Sequence, residues 1–159
     1  DPDSGAVLAD GEPGELVLTS LTKEAMPIIR YRTRDLTRLL PGTARTMRRI
    51  EKITGRNDDM LIIRGVNVFP SQIETLVLEQ PGLSPHYFLE VYQEGPLDAI
   101  DVLVECRDGV TTANEETATL QRRIKELVGI SSTVRAVDAG TIERSQGKAR
   151  RVNDTRENN

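Results

Sequence analysis

The pattern of the chain changes within residues 55–74, GRNDDMLIIRGVNVFPSQIE. A Gly-Arg turn and an acidic pair come first, and the apolar run Met60–Ile63 has the length and β-branched content of a strand. Arg64-Gly65 interrupts this run, and Val66–Phe69 can return as a second strand. Pro70 suits the first turn of a helix, where its missing N–H is not needed. The stretch therefore predicts a polar turn, a hairpin and a helix start.

Composition narrows the classes of function. A chain of 159 residues suits one domain, or a small domain with part of another. The formal charge is −4, and there are two Phe, three Tyr and no Trp. Because nucleic-acid binders use positive charge and stacked aromatic rings, no nucleic-acid partner is expected. A small anionic ligand remains compatible, since a local cluster of Arg and Lys can hold one.

The rare reactive residues point to a reducing compartment. The single cysteine, Cys106, cannot form an internal disulfide, which favours the cytoplasm. With one cysteine and one histidine, His86, a Cys/His metal site is not expected. No stretch is long and apolar enough to span a membrane, and no signal peptide is visible at the N-terminus.

The first part of the chain reads as strands without helices. Residues 1–14 are polar and rich in Gly and Pro, which indicates a loop. Four short strands are predicted after it, over Glu15–Thr19, Ile28–Arg32, Leu36–Leu40 and Arg48–Thr54. With no helix to cover a face, these strands would have open edges. We therefore expect a larger domain upstream, and in its absence either disorder or pairing with a second copy as a homodimer.

The second part predicts two helices and four strand segments. The helices are expected from Pro70 to Gln80 and from the capping box Thr112-x-x-Glu115 to Val128. Further strands are expected over Tyr87–Tyr92, Ile100–Cys106 and Ser132–Val137. Residues 60–138 thus run β, α, β, β, α, β. The predicted fold class is α+β, with two helices on one side of an antiparallel, ferredoxin-like sheet.

Two polar positions near the change of pattern could bind a ligand. Asp35 follows a predicted short strand, where a carboxylate can accept two hydrogen bonds from neighbouring hydroxyls, as on a ribose. Its alternative is a turn residue beside a solvated Arg. Arg56 offers a planar fork suited to phosphate or ribose oxygens. Its alternative is an ion pair with Asp58 or Asp59.

A third candidate lies near the C-terminus, in Ser145–Lys148. Gly147 permits close approach of the backbone to a ligand, and Lys148 supplies a mobile point charge. The alternative is an exposed basic tail, because Arg144, Arg150 and Arg151 cluster there. The sequence contains no Walker loop, Cys-x-x-Cys motif or recognisable Ser–His–Asp set.

Three segments taken in order resemble the C-terminal part of the adenylate-forming enzymes, the acyl-CoA synthetase superfamily. They are residues 28–36 (IIRYRTRDL), 39–45 (LLPGTAR) and 55–74. The likeness is to the phenylacetate branch, because Arg34 stands where the wider superfamily usually has Gly. The resemblance implies two domains: residues 1–55 as the β-rich end of a large adenylation domain, and residues 56–159 as a C-terminal lid with a flexible tail from about residue 140.

The resemblance implies an acid–CoA ligase. Such an enzyme makes an acyl-adenylate from a carboxylic acid and ATP, and then transfers the acyl group to coenzyme A after its lid rotates. By motif, Asp35 would hold the ribose hydroxyls of ATP, and Arg56 would contact the nucleotide nearby. Asp58 would be the hinge. Lys148 would be the catalytic residue at the α-phosphate and substrate carboxylate, and Gly65 would leave room for the pantetheine arm of coenzyme A.

The resemblance also limits what this chain does alone. Mg²⁺ is implied by the ATP chemistry, but no ligand for it is assigned here. The phosphate-binding loop and acid pocket of the family lie upstream, so the choice of phenylacetate rests on resemblance, and this fragment alone is expected to be inactive. A sister ligase for another aryl or acyl acid is one alternative. A non-catalytic ferredoxin-like ligand-binding module is another, although it would have no use for Asp35, Asp58 and Lys148 together.

Overall fold

The chain folds into two compact units. The structure is a computed structural model that describes residues 1–110, 113–144 and 150–156. The first unit is Asp1–Met60 and the second is Leu61–Asn159. No helix among the described residues has the length and apolar character needed to cross a membrane.

The first unit consists of short strands and one turn of 3₁₀ helix. The strands are β1 (Gly14–Leu18), β2 (Tyr31–Thr37), β3 (Leu39–Leu40), β4 (Arg49–Ile50) and β5 (Gly55–Arg56), and the 3₁₀ turn is Asn57–Asp59. β1, β2 and β5 form an antiparallel sheet in the order β1-β2-β5, while β3 pairs with β4. Only Thr37 and Gly55 are buried in this unit, so the unit has no apolar core of its own.

The strand boundaries in this unit differ from the prediction. One strand, β2, runs through residues 31–37, so Asp35 lies inside a strand and does not follow one. The chain can continue through this region because Arg34 adopts a φ of 69° and the β1–β2 register shifts between Glu15 and Val17. Such an irregularity lets an extended strand carry a local bend that the sequence pattern presents as a break.

The second unit contains a hairpin, a four-stranded sheet and two helices. The hairpin is β6 (Leu61–Ile63) with β7 (Val66–Val68), and the helices are α1 (Pro70–Leu78) and α2 (Asn114–Leu127). The sheet strands are β8 (Leu83–Glu94), β9 (Leu97–Cys106), β10 (Thr133–Val137) and β11 (Val152–Asp154). Their order is β10-β9-β8-β11, with β8 antiparallel to β9, β10 parallel to β9, and β11 parallel to β8.

Local residues explain the predicted hairpin and first helix, which are both confirmed. Arg64 and Gly65 have φ values of 51° and 76°, which are the positive values that a two-residue type I′ hairpin loop requires. Pro70 occupies the first position of α1, and the side chain of Gln72 accepts a hydrogen bond from the Phe69 N–H at 3.2 Å. Thr112, on which the capping box of the second helix depended, lies outside the described residues.

The core of the second unit lies between the helices and one face of the sheet. Alternate residues of β8 and β9 point inward and meet the apolar stripes of the helices. The fully buried members are Leu89, Val91, Val102, Val104, Ile73, Val77, Leu120 and Ile124. The helices also meet each other, and an ion pair joins Arg123 to Glu79. This core makes the second unit a self-contained packing unit.

The combination of a sheet with two helices is as predicted, but an antiparallel ferredoxin-like sheet is not what forms. The hairpin strands pair with each other and, among the described residues, with no strand of the larger sheet. The fourth sheet strand is instead Val152–Asp154, from the region expected to form a flexible tail. Helix α2 carries the chain back so that β10 runs parallel to β9, which a hairpin connection cannot do.

Candidate functional site

Strand pairing in the first unit brings two of the predicted site residues together. The β2–β5 register places Asp35 opposite Arg56. Arg56 Nη1 lies 3.4 Å from Asp35 Oδ1 and donates a hydrogen bond to the Thr33 carbonyl oxygen at 3.3 Å. A carboxylate and a guanidinium that are separated by 20 residues of intervening chain therefore form one polar corner.

The guanidinium fork of Arg56 is occupied mainly by Asp58. Arg56 Nε donates to Asp58 Oδ1 at 3.0 Å, and Nη2 donates to Oδ2 at 2.9 Å, a bidentate pairing. The Arg56 hydrogen bond holds the pKa of the Asp58 carboxyl below its usual value. The ion pair kept open as an alternative for Arg56 is therefore present. The two side chains are 38% and 45% exposed, so the pair adds little stability and the fork remains within reach of a ligand.

A buried carboxylate organises this corner, and the sequence analysis missed it. The Glu15 side chain is only 2% exposed. It accepts hydrogen bonds from Arg32 Nε at 3.0 Å, from the Arg34 backbone N–H at 3.2 Å and from Asn57 Nδ2 at 3.1 Å. The bond from Arg32 is the largest cause of its lowered pKa. Glu15 thereby joins β1 and β2 to the turn that carries Asp58. Its only sequence signal is an acid at the head of an apolar strand.

Arg34 occupies the backbone conformation that favours glycine. Its φ of 69° lies in the left-handed region, where a side chain adds strain that glycine avoids. The glycine that the resemblance to the wider superfamily leads us to expect at this position would adopt this conformation without that strain. In this chain the Arg34 N–H donates to Glu15, which fixes the unusual conformation.

Gly65 lies at the tip of the hairpin in the second unit, with open space in front of it. A β-carbon built on Gly65 would meet no atom within 4 Å. The preceding residue is anchored, because Arg64 Nε donates to the Asp98 carbonyl oxygen at 2.5 Å. Glycine at this position serves the turn geometry, and the space before it is open within the described part of the chain.

Lys148 lies outside the described residues, in the gap 145–149. The chain on both sides of the gap is held to the sheet unit. Arg144 binds the Glu105 carboxylate, and Arg151 lies 2.9 Å from Glu74 Oε1. Neither arginine belongs to a free basic tail.

The corner in the first unit offers both signs of charge within a few ångströms. Asp35 can accept hydrogen bonds from hydroxyl groups, and Arg56 can donate to phosphate or ribose oxygens. Within the ranges that the structure describes, no three His, Cys, Asp or Glu side chains lie together as a metal site requires.

A family model described as "AMP-binding enzyme C-terminal domain" matches residues 65–156. The chain belongs to this family. The matched residues of the AMP-binding enzyme C-terminal domain begin at Gly65 and include Lys148. Asp35, Arg56 and Asp58 precede the match.

The relatives that share this C-terminal domain are longer than the present chain, which spans little more than a third of their length. The chain is 58% identical over 161 aligned residues to phenylacetate-coenzyme A ligase from Escherichia coli (strain K12). This alignment covers 98% of the present chain and 37% of that relative. A crystal structure of 2-hydroxyisobutyryl-CoA ligase in the postadenylation state, in complex with R3-HIB-AMP, matches 97% of this chain and 34% of that chain, with a TM-score of 0.82 and 29% identity. A crystal structure of the same ligase in complex with 2-HIB-AMP and CoA, in the thioesterification state, matches 99% of the present chain and 35% of the ligase chain. Its TM-score is 0.59 and its sequence identity is 30%.

Proposed function

We propose that this chain is the C-terminal portion of a phenylacetate–CoA ligase. The complete enzyme joins the phenylacetate carboxylate to the α-phosphate of ATP, releasing pyrophosphate, and then transfers the phenylacetyl group to the thiol of coenzyme A, releasing AMP. The observation that carries the proposal is the 58% identity to the Escherichia coli ligase across 98% of the chain.

The polar corner of the first unit suits the nucleotide. Asp35 is only partly exposed, and its Oδ1 lies 3.4 Å from Arg56 Nη1, which leaves the other carboxylate oxygen available to a ligand within the described part of the chain. We assign it to the two ribose hydroxyls of ATP, because an ionised carboxylate has acceptor sites for both. Arg56 is assigned to the nucleotide next to the ribose, where its fork would exchange Asp58 for ligand oxygens.

Asp58 is proposed as the hinge of the lid. It lies in the 3₁₀ turn Asn57–Asp59, and the two compact units divide directly after Met60. Hinges are a few residues at the ends of elements that absorb large changes in φ and ψ. The bidentate bond to Arg56 gives the hinge a fixed partner in this conformation.

Lys148 and Gly65 are proposed to serve the two half-reactions in turn. During adenylation two anions must meet, the substrate carboxylate and the α-phosphate, and the Lys148 ammonium stabilises their shared charge. During thioester formation the pantetheine arm passes the open turn at Gly65. Both residues lie within the matched family region.

Residues 1–55 are proposed as the end of the large adenylation domain. Large apolar side chains are exposed there, including Val7, Leu21 and Met26, which indicates a surface that another part of the protein covers. The rest of the large domain is the simplest cover, and this assignment needs no second copy. Mg²⁺ accompanies ATP in such chemistry, but none of the residues here is assigned to it. Use of ATP and coenzyme A is consistent with the cytoplasm.

The test is a substrate panel on the full-length enzyme that carries this chain. We expect phenylacetate to give the fastest CoA-dependent release of AMP and to yield phenylacetyl-CoA. Preference for another aryl or acyl acid would replace the proposal by a sister ligase. A folded full-length protein that adenylates no acid would favour the non-catalytic module.

A separate test concerns Lys148. In the full-length enzyme, Lys148→Ala should reduce adenylation far more than thioester formation from preformed phenylacetyl-adenylate. Equal loss in both half-reactions would contradict the assigned role.

A further inference from the structure

A buried carboxylate in the second unit has no place in the function described so far. The Glu105 side chain lies on β9 and is 1% exposed. It accepts hydrogen bonds from the Ile142 backbone N–H at 2.7 Å, from Arg144 Nη1 at 3.0 Å and from Arg144 Nη2 at 2.7 Å. Burial raises the pKa of the Glu105 carboxyl, but the hydrogen bonds from Arg144, from Ile142 and from the Gly140 backbone outweigh it and lower this pKa below its usual value. The charge is therefore kept in the interior by several donors.

These donors all come from one segment, Gly140–Arg144, which follows β10. Arg144 Nη1 also donates to the Ile142 carbonyl oxygen at 3.2 Å, so the arginine closes the segment on itself as it binds Glu105. A single carboxylate thus fixes the backbone and the last side chain of the segment against β9. Lys148 follows Arg144 by four residues in the sequence.

The chain after the gap is fixed independently. Arg151 binds Glu74 on α1, its guanidinium lies 4.5 Å above the centre of the Tyr87 ring, and its carbonyl oxygen accepts a hydrogen bond from the Leu89 N–H at 2.8 Å. Strand β11 then continues the sheet beside β8. The described residues that flank 145–149 are therefore held by two different strands: Arg144 by Glu105 of β9, and Arg151 by Leu89 of β8.

We propose that Glu105 is a positioning residue for adenylation, acting through Arg144 to set where the chain departs towards Lys148. This inference rests on the proposed role of Lys148. A lysine with a long, flexible stem has many reachable positions, and a fixed point four residues away limits them by covalent geometry. Removing the Glu105 charge would release the Gly140–Arg144 segment and widen that range.

The same strand offers a matched control. Asp101 also lies on β9, its side chain is 4% exposed, and its Oδ2 accepts a hydrogen bond from Arg135 Nη2 at 2.6 Å. Tyr92 Oη donates to its Oδ1 at 3.1 Å. Asp101 is therefore another buried acid paired with an arginine, but its partners lie on β8 and β10. A loss of lid stability would follow from neutralising either acid, whereas a loss of Lys148 placement follows only from Glu105.

The experiment uses the full-length enzyme and separates the half-reactions. Adenylation is measured as acid-dependent exchange of pyrophosphate into ATP, and thioester formation is measured from preformed phenylacetyl-adenylate and coenzyme A. We expect Glu105→Gln to slow adenylation about tenfold or more, as expected for loss of a charge-assisted hydrogen bond, and to leave thioester formation nearly unchanged. Asp101→Asn should show no such selectivity.

A second variant keeps the test valid if Glu105→Gln does not fold. Arg144 is half-exposed, and Arg144→Lys retains the charge but loses the bidentate geometry, so it should show the same selective loss with a smaller size. Equal losses in both half-reactions for both variants, or the same selectivity in Asp101→Asn, would overturn the inference. Lys148→Ala separates the proposed role of Lys148 from the positioning role of Glu105. If Lys148→Ala selectively slows adenylation and the Glu105 and Arg144 variants do not, only the positioning role fails. If Lys148→Ala is itself unselective, the proposed role of Lys148 and this inference fail together.

Discussion

Two requirements would each favour glycine at position 65, the backbone conformation of the turn and the proposed passage of coenzyme A, and a pair of substitutions distinguishes them. Its φ of 76° favours glycine for the turn, and the proposed passage of the coenzyme A arm would use the open space before it. Gly65→Ala disturbs the turn but adds only a methyl group. Gly65→Asn is better tolerated in the left-handed conformation, yet it extends a longer side chain into the open space.

The structure sets the expected magnitudes. Because a β-carbon at Gly65 would meet no atom within 4 Å, neither substitution clashes within the described part of the chain. For Gly65→Ala the cost is then backbone strain of about 1 kcal/mol, which raises the open population of the hairpin about fivefold. For Gly65→Asn the cost to the hairpin should be smaller. If pantetheine passes this turn, the asparagine side chain of Gly65→Asn should slow thioester formation about tenfold, which corresponds to about 1.4 kcal/mol in the activation free energy.

Two assays on the full-length enzyme read these effects separately. Hydrogen exchange at the Ile63 and Val66 amides reports hairpin opening, since these residues pair across the turn. Thioester formation from preformed phenylacetyl-adenylate reports access of coenzyme A. The reasoning is refuted if Gly65→Asn forms thioester at the rate of the unmodified enzyme while Gly65→Ala is impaired, because glycine would then serve the turn alone.

Four further predictions concern the first unit and the core of the second. Asp35→Asn should raise the KM for ATP about tenfold through a weakened bond to the ribose, and an unchanged KM would contradict the assignment. Arg34→Gly should relieve left-handed strain and raise stability by about 0.5 kcal/mol, visible as a higher Tm, whereas a lower Tm would show that Arg34 makes a compensating contact. Leu89→Ala should cost about 2–5 kcal/mol in denaturant unfolding, against less than about 0.5 kcal/mol for the exposed Leu97→Ala, and similar losses would contradict the described core. The pKa of the Glu105 carboxyl is lowered in the folded protein, so the ionised carboxylate should stabilise the fold above the ordinary glutamate pKa of 4.5, and this stabilisation should be lost as the pH falls below that value. Glu105→Gln should therefore flatten this part of the curve of unfolding free energy against pH. An unaltered curve would contradict the ionised pair of Glu105 and Arg144.

Features fixed by neighbouring residues were predictable from the sequence. Gly65 permits the positive φ of a tight turn, and Pro70 fixes a φ that suits the first turn of a helix, so the hairpin and the start of α1 are found where they were expected. Strand β11 was not predictable, because Val152–Asp154 is too short to show alternation and exists through its pairing with β8. The prediction of an antiparallel sheet was wrong for the same reason, because long-range pairing decides which strands become neighbours.

The candidate site shows the same division. Asp35 and Arg56 were identified singly, but their contact arises from the β2–β5 register, which no local pattern encodes. Glu15 and Glu105 were missed because acids at strand positions are normally exposed. Each is buried through arginines distant in sequence, Arg32 for the first and Arg144 for the second.

The central claim is that this chain is a working C-terminal portion of a phenylacetate–CoA ligase. The most direct measurement exchanges the matching part of the Escherichia coli ligase, to which the chain is 58% identical, for this chain. The truncated ligase and the Lys148→Ala chimera serve as controls, and phenylacetyl-CoA formation is the readout. We predict that the chimera forms phenylacetyl-CoA, that the truncated ligase forms none, and that the Lys148→Ala chimera forms far less than the unmodified chimera. A folded chimera that forms no more product than the truncated ligase would contradict it.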